Sequence, residues 1–380
     1  MMLFKQQVFV IGAFAALSVP SASFAWTRSY VVDWLEPAFY FGGPDNGSGT
    51  APGTDCPKGA HPGQNWPKEL AAYGHRDAKR VAEITDPEYP RELFKTHLAF
   101  RGPNKDHVFE DPSVVPDPGM VMVDGKLAEG IDLDDNPATG FTGIDGVPGV
   151  DNNFYKVTGC IKNFRAKPRS SFRFSIVNES MRNGSFQTVV VMSGEGDPMN
   201  DSDVTVGMYA TKDRMVKDTN AGVVADLTYR IDPDPNYQTV FKAKIVNGVV
   251  IQQTPFFLRT HDNSTDSPQL RLYKTRIKWV MNPDGSISGL AGGYREFFEY
   301  YREKVVNGSR AGTNEDTGDM NMIAWYNGMR RYADGLPDPK TGKNRGISTA
   351  YRFSMVPAFV VNPGATSRVE VAQIFAPAGQ

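Results

Sequence analysis

Period-two alternation of apolar and polar residues runs through the second half of the chain and leaves room for few architectures. Phe241, Ala243 and Ile245 alternate with Lys242 and Lys244. Between Leu270 and Met281, Tyr273, Ile277 and Trp279 share one side while Lys274, Arg276 and Lys278 take the other. The same signal marks Phe172/Phe174/Ile176, Val189/Val191, Val204/Val206/Met208 and Val369/Val371, with a further β segment over 350–361. Successive side chains of a strand point to opposite faces. One oily side per strand therefore implies sheets with one buried and one wet face, as in antiparallel sheets. Asn183-Gly184, Asn247-Gly248 and Pro283-Asp284-Gly285 supply turns between the runs. The expected fold is mainly β: an antiparallel β-sandwich or jelly-roll-like core over residues 168–380, interrupted by a helical insertion at about 291–335.

Two helices are expected in that insertion. Tyr294, Phe297, Phe298, Tyr301 and Val305 fall on one stripe over 293–305, and Ile323, Trp325, Tyr326 and Met329 form another after a possible cap at Asp319. Residues 26–167 read differently. Gly42-Gly43-Pro44, the tract 47–53 and the stretch 112–119 are turn chemistry, so this part is expected to be a loop-rich N-terminal region. It holds one predicted helix, capped by Asn65 with Pro67 in its first turn and Leu70 and Tyr73 on its buried face, and one possible strand over 94–100. The 37 Gly, 27 Pro, 23 Phe and 15 Tyr fit many short elements joined by structured loops.

Residues 1–25 have the grammar of an export signal. Lys5 precedes an apolar run over 8–19, and Ser23-Phe24-Ala25 places small residues where a signal peptidase reads them, predicting cleavage before Trp26. The run is too short for a hydrocarbon core of about 30 Å, so no transmembrane segment is expected. The predicted localisation is secreted or periplasmic. In such a compartment Cys56 and Cys160, the chain's two cysteines, are expected to form a disulfide. The formal net charge of −2 gives no global field for nucleic acid, and nucleic acid is excluded as a partner. The basic run Lys162, Arg165, Lys167, Arg169, Arg173 reads as the solvated face of a strand.

The acidic stretch 124–153 is the best candidate for chemistry. Asp132, Asp134 and Asn136 alternate in a tight loop, and Asp145 and Asp151 follow among glycines. Calcium takes six to eight oxygen ligands from carboxylates, amides and backbone, so these five residues form the expected metal site, with calcium as cofactor. The loop departs from an EF-hand, with Pro137 at its sixth position and Gly143 at its twelfth. The same residues also suit a solvated loop whose Asp and Asn side chains cap their own turns. A second acidic segment, 195–203, reads as a polar connector or a further binding loop. His61, His75, His97, His107 and His261 show no tight ligand spacing, and no nucleophile elbow or phosphate-binding loop occurs.

Three classes of function remain. The first is an exported non-enzymatic binding protein, calcium-stabilised, that recognises a glycan or protein at the cell surface, with Trp26, Trp34, Trp66 and Trp325 as candidate stacking platforms. The second is an extracellular polysaccharide hydrolase or lyase using paired carboxylates, for which Glu179, Glu195, Glu296 and Glu299 are nominal candidates. The third is a structural subunit of a periplasmic or surface assembly, with 26–41 as an interface strand. No residue carries a catalytic signature, and oligomeric state is not encoded in any visible pattern.

Overall fold

The computed structural model describes residues 25–44, 48–63, 65–86, 88–89, 104, 106–184, 186–264, 267–304 and 320–362. The leader before Ala25, the possible strand over 94–100 with His97, Asp319, and the Val369/Val371 segment lie outside the described residues. The strands, in chain order, are β1 (Ala25–Pro37), β2 (Leu127–Ala128), β3 (Phe141–Gly143), β4 (Pro148–Val150), β5 (Gln187–Glu195), β6 (Asp201–Thr211), β7 (Leu227–Arg230), β8 (Thr239–Val246), β9 (Val249–Gln252), β10 (Phe256–Ser264), β11 (Ser267–Met281), β12 (Ile287–Glu296), β13 (Gly335–Pro337) and β14 (Asn344–Val361). The helices are α1 (Trp66–Ala72), α2 (Ala78–Ile84), α3 (Asn153–Thr158), α4 (Phe172–Asn183), α5 (Phe297–Glu303) and α6 (Met322–Arg331).

The fold is mainly β and its main sheet is antiparallel, but it closes on itself. Eight strands run in the order β1-β5-β6-β8-β9-β11-β12-β14, and β14 pairs back onto β1. The first half of β1 pairs with β5, from Ala25↔Glu195 to Val31↔Val189, and its second half pairs with β14, from Tyr30↔Pro357 to Pro37↔Tyr351. The expected sandwich is thus a barrel. The closing strand comes from the region expected to be loop-rich, where Tyr30, Val31, Val32, Trp34 and Leu35 run together without alternation. Both faces of that stretch are covered, so its pattern is continuous rather than periodic.

An eight-stranded barrel is just wide enough for side chains to fill. Phe241, Ala243, Ile245, Val204, Val206, Met208, Ile277, Trp279 and Phe353 belong to that filled interior. Phe256 stacks on Phe241 at 3.9 Å. Outward positions of β8 and β11 carry the charged Lys242, Lys244 and Lys278 together with the exposed Val240, Val246 and Val280. Among the described residues no helix is long and apolar enough to cross a membrane.

Three local expectations need correction. Residues 172–176 are not a strand: Ser171 caps α4 by accepting the Phe174 N–H, and the buried stripe is Phe174, Val177, Asn178 and Met181, at helical spacing. Phe172 and Ile176, which suggested alternation, are exposed. Asn183-Gly184 accordingly ends a helix rather than turning a hairpin, and the basic run over 162–173 spans a short 3-10 turn, the loop after it and the first turn of α4. In β11, Lys274 sits at φ 52 within a register shift between Tyr273 and Arg276, so Leu272 rather than Tyr273 shares the inner side with Ile277 and Trp279. Tyr294 lies on β12, paired with Ser348, and α5 begins only at Phe297.

A second core lies between one end of the barrel and α1, α2, α3, α5 and α6. Phe39, Tyr155, Tyr301 and Trp325 fill it together with Cys56 and Cys160, which are bonded to each other. Beside them Arg165 makes a two-pronged salt bridge to Asp55, both oxygens at 2.7 Å, with both side chains out of solvent. A third core packs α4 and the segment through β7 against the outer faces of Val189 and Val191. The predicted helix at Asn65 is two short ones. Asn65 does cap α1, accepting the Lys68 N–H, and Gly74 at φ 100 separates it from α2.

Candidate functional site

The acidic loop folds as a series of turns capped by its own carboxylates. Asp132 Oδ1 accepts the Asp135 N–H at 2.7 Å, and Asp134 Oδ1 accepts the Asn136 N–H at 2.9 Å. From the far end of the segment, Asp151 Oδ2 accepts the Leu133 N–H at 2.7 Å. These bonds turn the three side chains toward one point. One carboxylate oxygen from each of Asp132, Asp134 and Asp151 lies within 4.8 Å of the others, the sole cluster of three or more such groups among the described residues. No lysine or arginine is bonded to any of the three among the described residues.

Of the other two expected ligands, Asp145 lies outside that cluster. Asn136 Oδ1 accepts the Ala138 N–H, and Asp145 sits at the β3–β4 turn, where its Oδ1 accepts the Val147 N–H. Small residues let the loop close. A Cβ on Gly149, at φ 91, would stand 3.1 Å from Asp132 Oδ2 and 3.3 Å from the Asn136 carbonyl oxygen. One on Gly140 would meet the Val150 carbonyl oxygen at 2.4 Å.

The loop is tied to every layer of the protein. Asp135 takes two hydrogen bonds of 2.6 Å from Arg276 on β11. Asn152, fully buried, caps α3 and donates to the carbonyls of Ala38 and Glu129. Asn153 donates to Asp334 Oδ2 and to the Tyr332 carbonyl at the end of α6, and its N–H reaches Ser348 Oγ on β14. The Asp-Asn-Asn sequence at 151–153 therefore joins the acidic cluster to barrel and helices at once.

The electrostatics follow from crowding. Burial, with the negative charges of Asp134, Asp334 and Asp132 added, pushes the Asp151 carboxyl up to about 6. Asp334 is also raised by burial, offset in part by the Ser348 and Asn153 donors. Three carboxylates facing one another without a paired cation suit a hard divalent ion, which would supply the missing positive charge. An oxygen-only donor set of this kind matches hard cations such as calcium and magnesium more closely than softer metals.

Several of the other candidates have ordinary partners. Asp197 caps its own turn through the Met199 N–H and Asn200, Asp201 accepts the Trp26 indole N–H at 3.0 Å, and Asp203 pairs with Lys242. His61 Nδ1 accepts the Val121 N–H, and His261 stacks on Tyr237 at 3.9 Å. Glu179 pairs with Lys217, Glu299 with Arg271 and Glu296 with Arg345. Trp325 is core, and the Trp34 ring lies under the guanidinium groups of Arg169 and Arg182 at 5.4 and 5.1 Å. Sequence reasoning missed the buried Arg295, which bonds Asp262 and Tyr351 and lies 3.5 Å from the Tyr300 ring centre. It also missed Arg352, which bridges Glu129 and Glu36. Their partners are tens to hundreds of residues away, so no local pattern marks them. No protein-family model, curated protein or solved structure matches the chain.

Proposed function

We propose that the protein is a calcium-stabilised binding protein of the periplasm or cell exterior, recognising a saccharide or another surface component. The observation that supports it is the convergence of Asp132, Asp134 and Asp151 within 4.8 Å, in a loop that runs into α3 and is bonded to β11, to β14 and to the residues just after β1 and α6. An ion held there would clamp the acidic loop against the barrel, and millimolar calcium outside the cytoplasm would fill even a weak site. The Cys56–Cys160 bond suits an oxidising compartment. The barrel interior is filled by side chains, so a ligand would bind on the outer wall or on the loops.

Calcium titration of the purified protein tests this reading. A ligand that prefers the native state raises the melting temperature with concentration. Wild type should respond to millimolar calcium and not to magnesium at the same level, and Asp134→Asn should lose the response while remaining folded. An unchanged melting temperature together with no retained metal would overturn it.

A further inference from the structure

We propose that a groove on the outer wall of the barrel binds an acidic saccharide, with Arg169 holding the sugar carboxylate; this rests on the saccharide-binding reading above and deepens it. The groove encloses about 350 Å³, at the small end of the range for ligand sites and suited to one or two sugar rings. Its floor is the register Trp34↔Ser354↔Ser288 and Glu36↔Arg352↔Leu290 across β1, β14 and β12. Pro168, Arg169 and Glu129 complete its lining.

Four features point to that class of ligand. Leu290 and the serine hydroxyls offer an apolar patch beside polar groups, which a sugar ring matches with its C–H face and its hydroxyls. Trp34, which lines the groove, has its indole N–H buried without a partner among the described residues, a donor that a sugar hydroxyl oxygen can accept from. Glu36 and Glu129 share the single Arg352, so the wall they form keeps one net negative charge and directs a ligand carboxylate to the Arg169 side of the groove. Finally, the Arg169 guanidinium is half-exposed and has its nearest carboxylate, Asp33, at 4.0 Å, leaving its fork open to a carboxylate.

Arg169 is also held in an unusual way. Its backbone is left-handed at φ 63, a conformation that a branched or long side chain seldom adopts, and Glu36 accepts its N–H at 3.1 and 3.3 Å. Strained residues over-determined by their surroundings gather at ligand clamps. Here the consequence is to set the guanidinium over Trp34 at the groove mouth.

Calorimetry with the full chain, using digalacturonate and the neutral disaccharide cellobiose, tests the proposal. Digalacturonate should bind at least about tenfold more tightly than cellobiose, a difference of about 1.4 kcal/mol. Arg169→Gly keeps the left-handed backbone and its N–H to Glu36, and should erase that preference. Leu290→Trp, on the groove floor, should abolish binding of both sugars while circular dichroism stays native. Binding that survives Leu290→Trp, or an acidic preference that survives Arg169→Gly, overturns the proposal and leaves the broader saccharide reading standing. Failure of wild type to bind an array of neutral and acidic glycans overturns both.

Discussion

Replacing Asp151 with asparagine is expected to stabilise the metal-free protein near neutral pH. Asp151 is 6% exposed, and burial among Asp134, Asp334 and Asp132 raises its carboxyl from 3.8 to about 6. At about 1.4 kcal/mol per unit, ionising it costs the folded state up to about 3 kcal/mol once the pH passes both values. The folded value lies above the unfolded one, so the group's contribution is fully present below pH 3.8 and is lost as pH rises through about 6. Asparagine keeps an oxygen for the Leu133 N–H and carries no charge, so the variant escapes this loss. Relaxation around the exposed Asp134 reduces the gain, leaving about 1–2 kcal/mol. Urea unfolding in chelator, at about pH 5 and about pH 7.5, measures it. The same substitution removes a ligand, so calcium should stabilise wild type much more than the variant. A variant less stable than wild type in chelator at neutral pH, with wild-type stability flat across that range, would refute the reasoning.

Removing the Cys56–Cys160 bond by a double alanine substitution should cost about 2–5 kcal/mol, because it frees a loop of 104 residues in the unfolded chain; identical urea midpoints with and without the bond would contradict this. Arg165→Met should cost about 3–5 kcal/mol by leaving Asp55 charged, buried and alone, again read from unfolding midpoints. Gly289→Ala should destabilise by more than about 1 kcal/mol, since its Cβ would stand 2.1 Å from the Lys278 carbonyl oxygen across the β11–β12 pair. Hydrogen exchange should show the loss concentrated in those two strands.

Much of the barrel wall was legible because its inner positions alternate cleanly. Phe241/Ala243/Ile245 and Val204/Val206/Met208 all point inward as their period requires. Closure was not legible. Alternation describes one strand's two faces and is the same in a sandwich and a barrel. What distinguishes them is the pairing of residues near 30 with residues near 357, and β1 carries no alternation to announce it. The α4 segment misled for a related reason: Phe172, Phe174 and Ile176 imitate a strand, while the helical signal lies in Ser171, Phe174, Val177 and Met181. At the acidic loop, residue type marked a stretch whose carboxylates the fold gathers, while spacing did not tell which of them meet. Asn136 and Asp145 satisfy their own turns, and only the fold brings Asp151 back to Asp132 and Asp134.

The most direct measurement is anomalous diffraction from crystals grown in millimolar calcium. One ion is expected among Asp132, Asp134 and Asp151, with oxygens at about 2.3–2.6 Å. Well-ordered density for the three carboxylates with no ion between them, or with their oxygens turned apart, would contradict it.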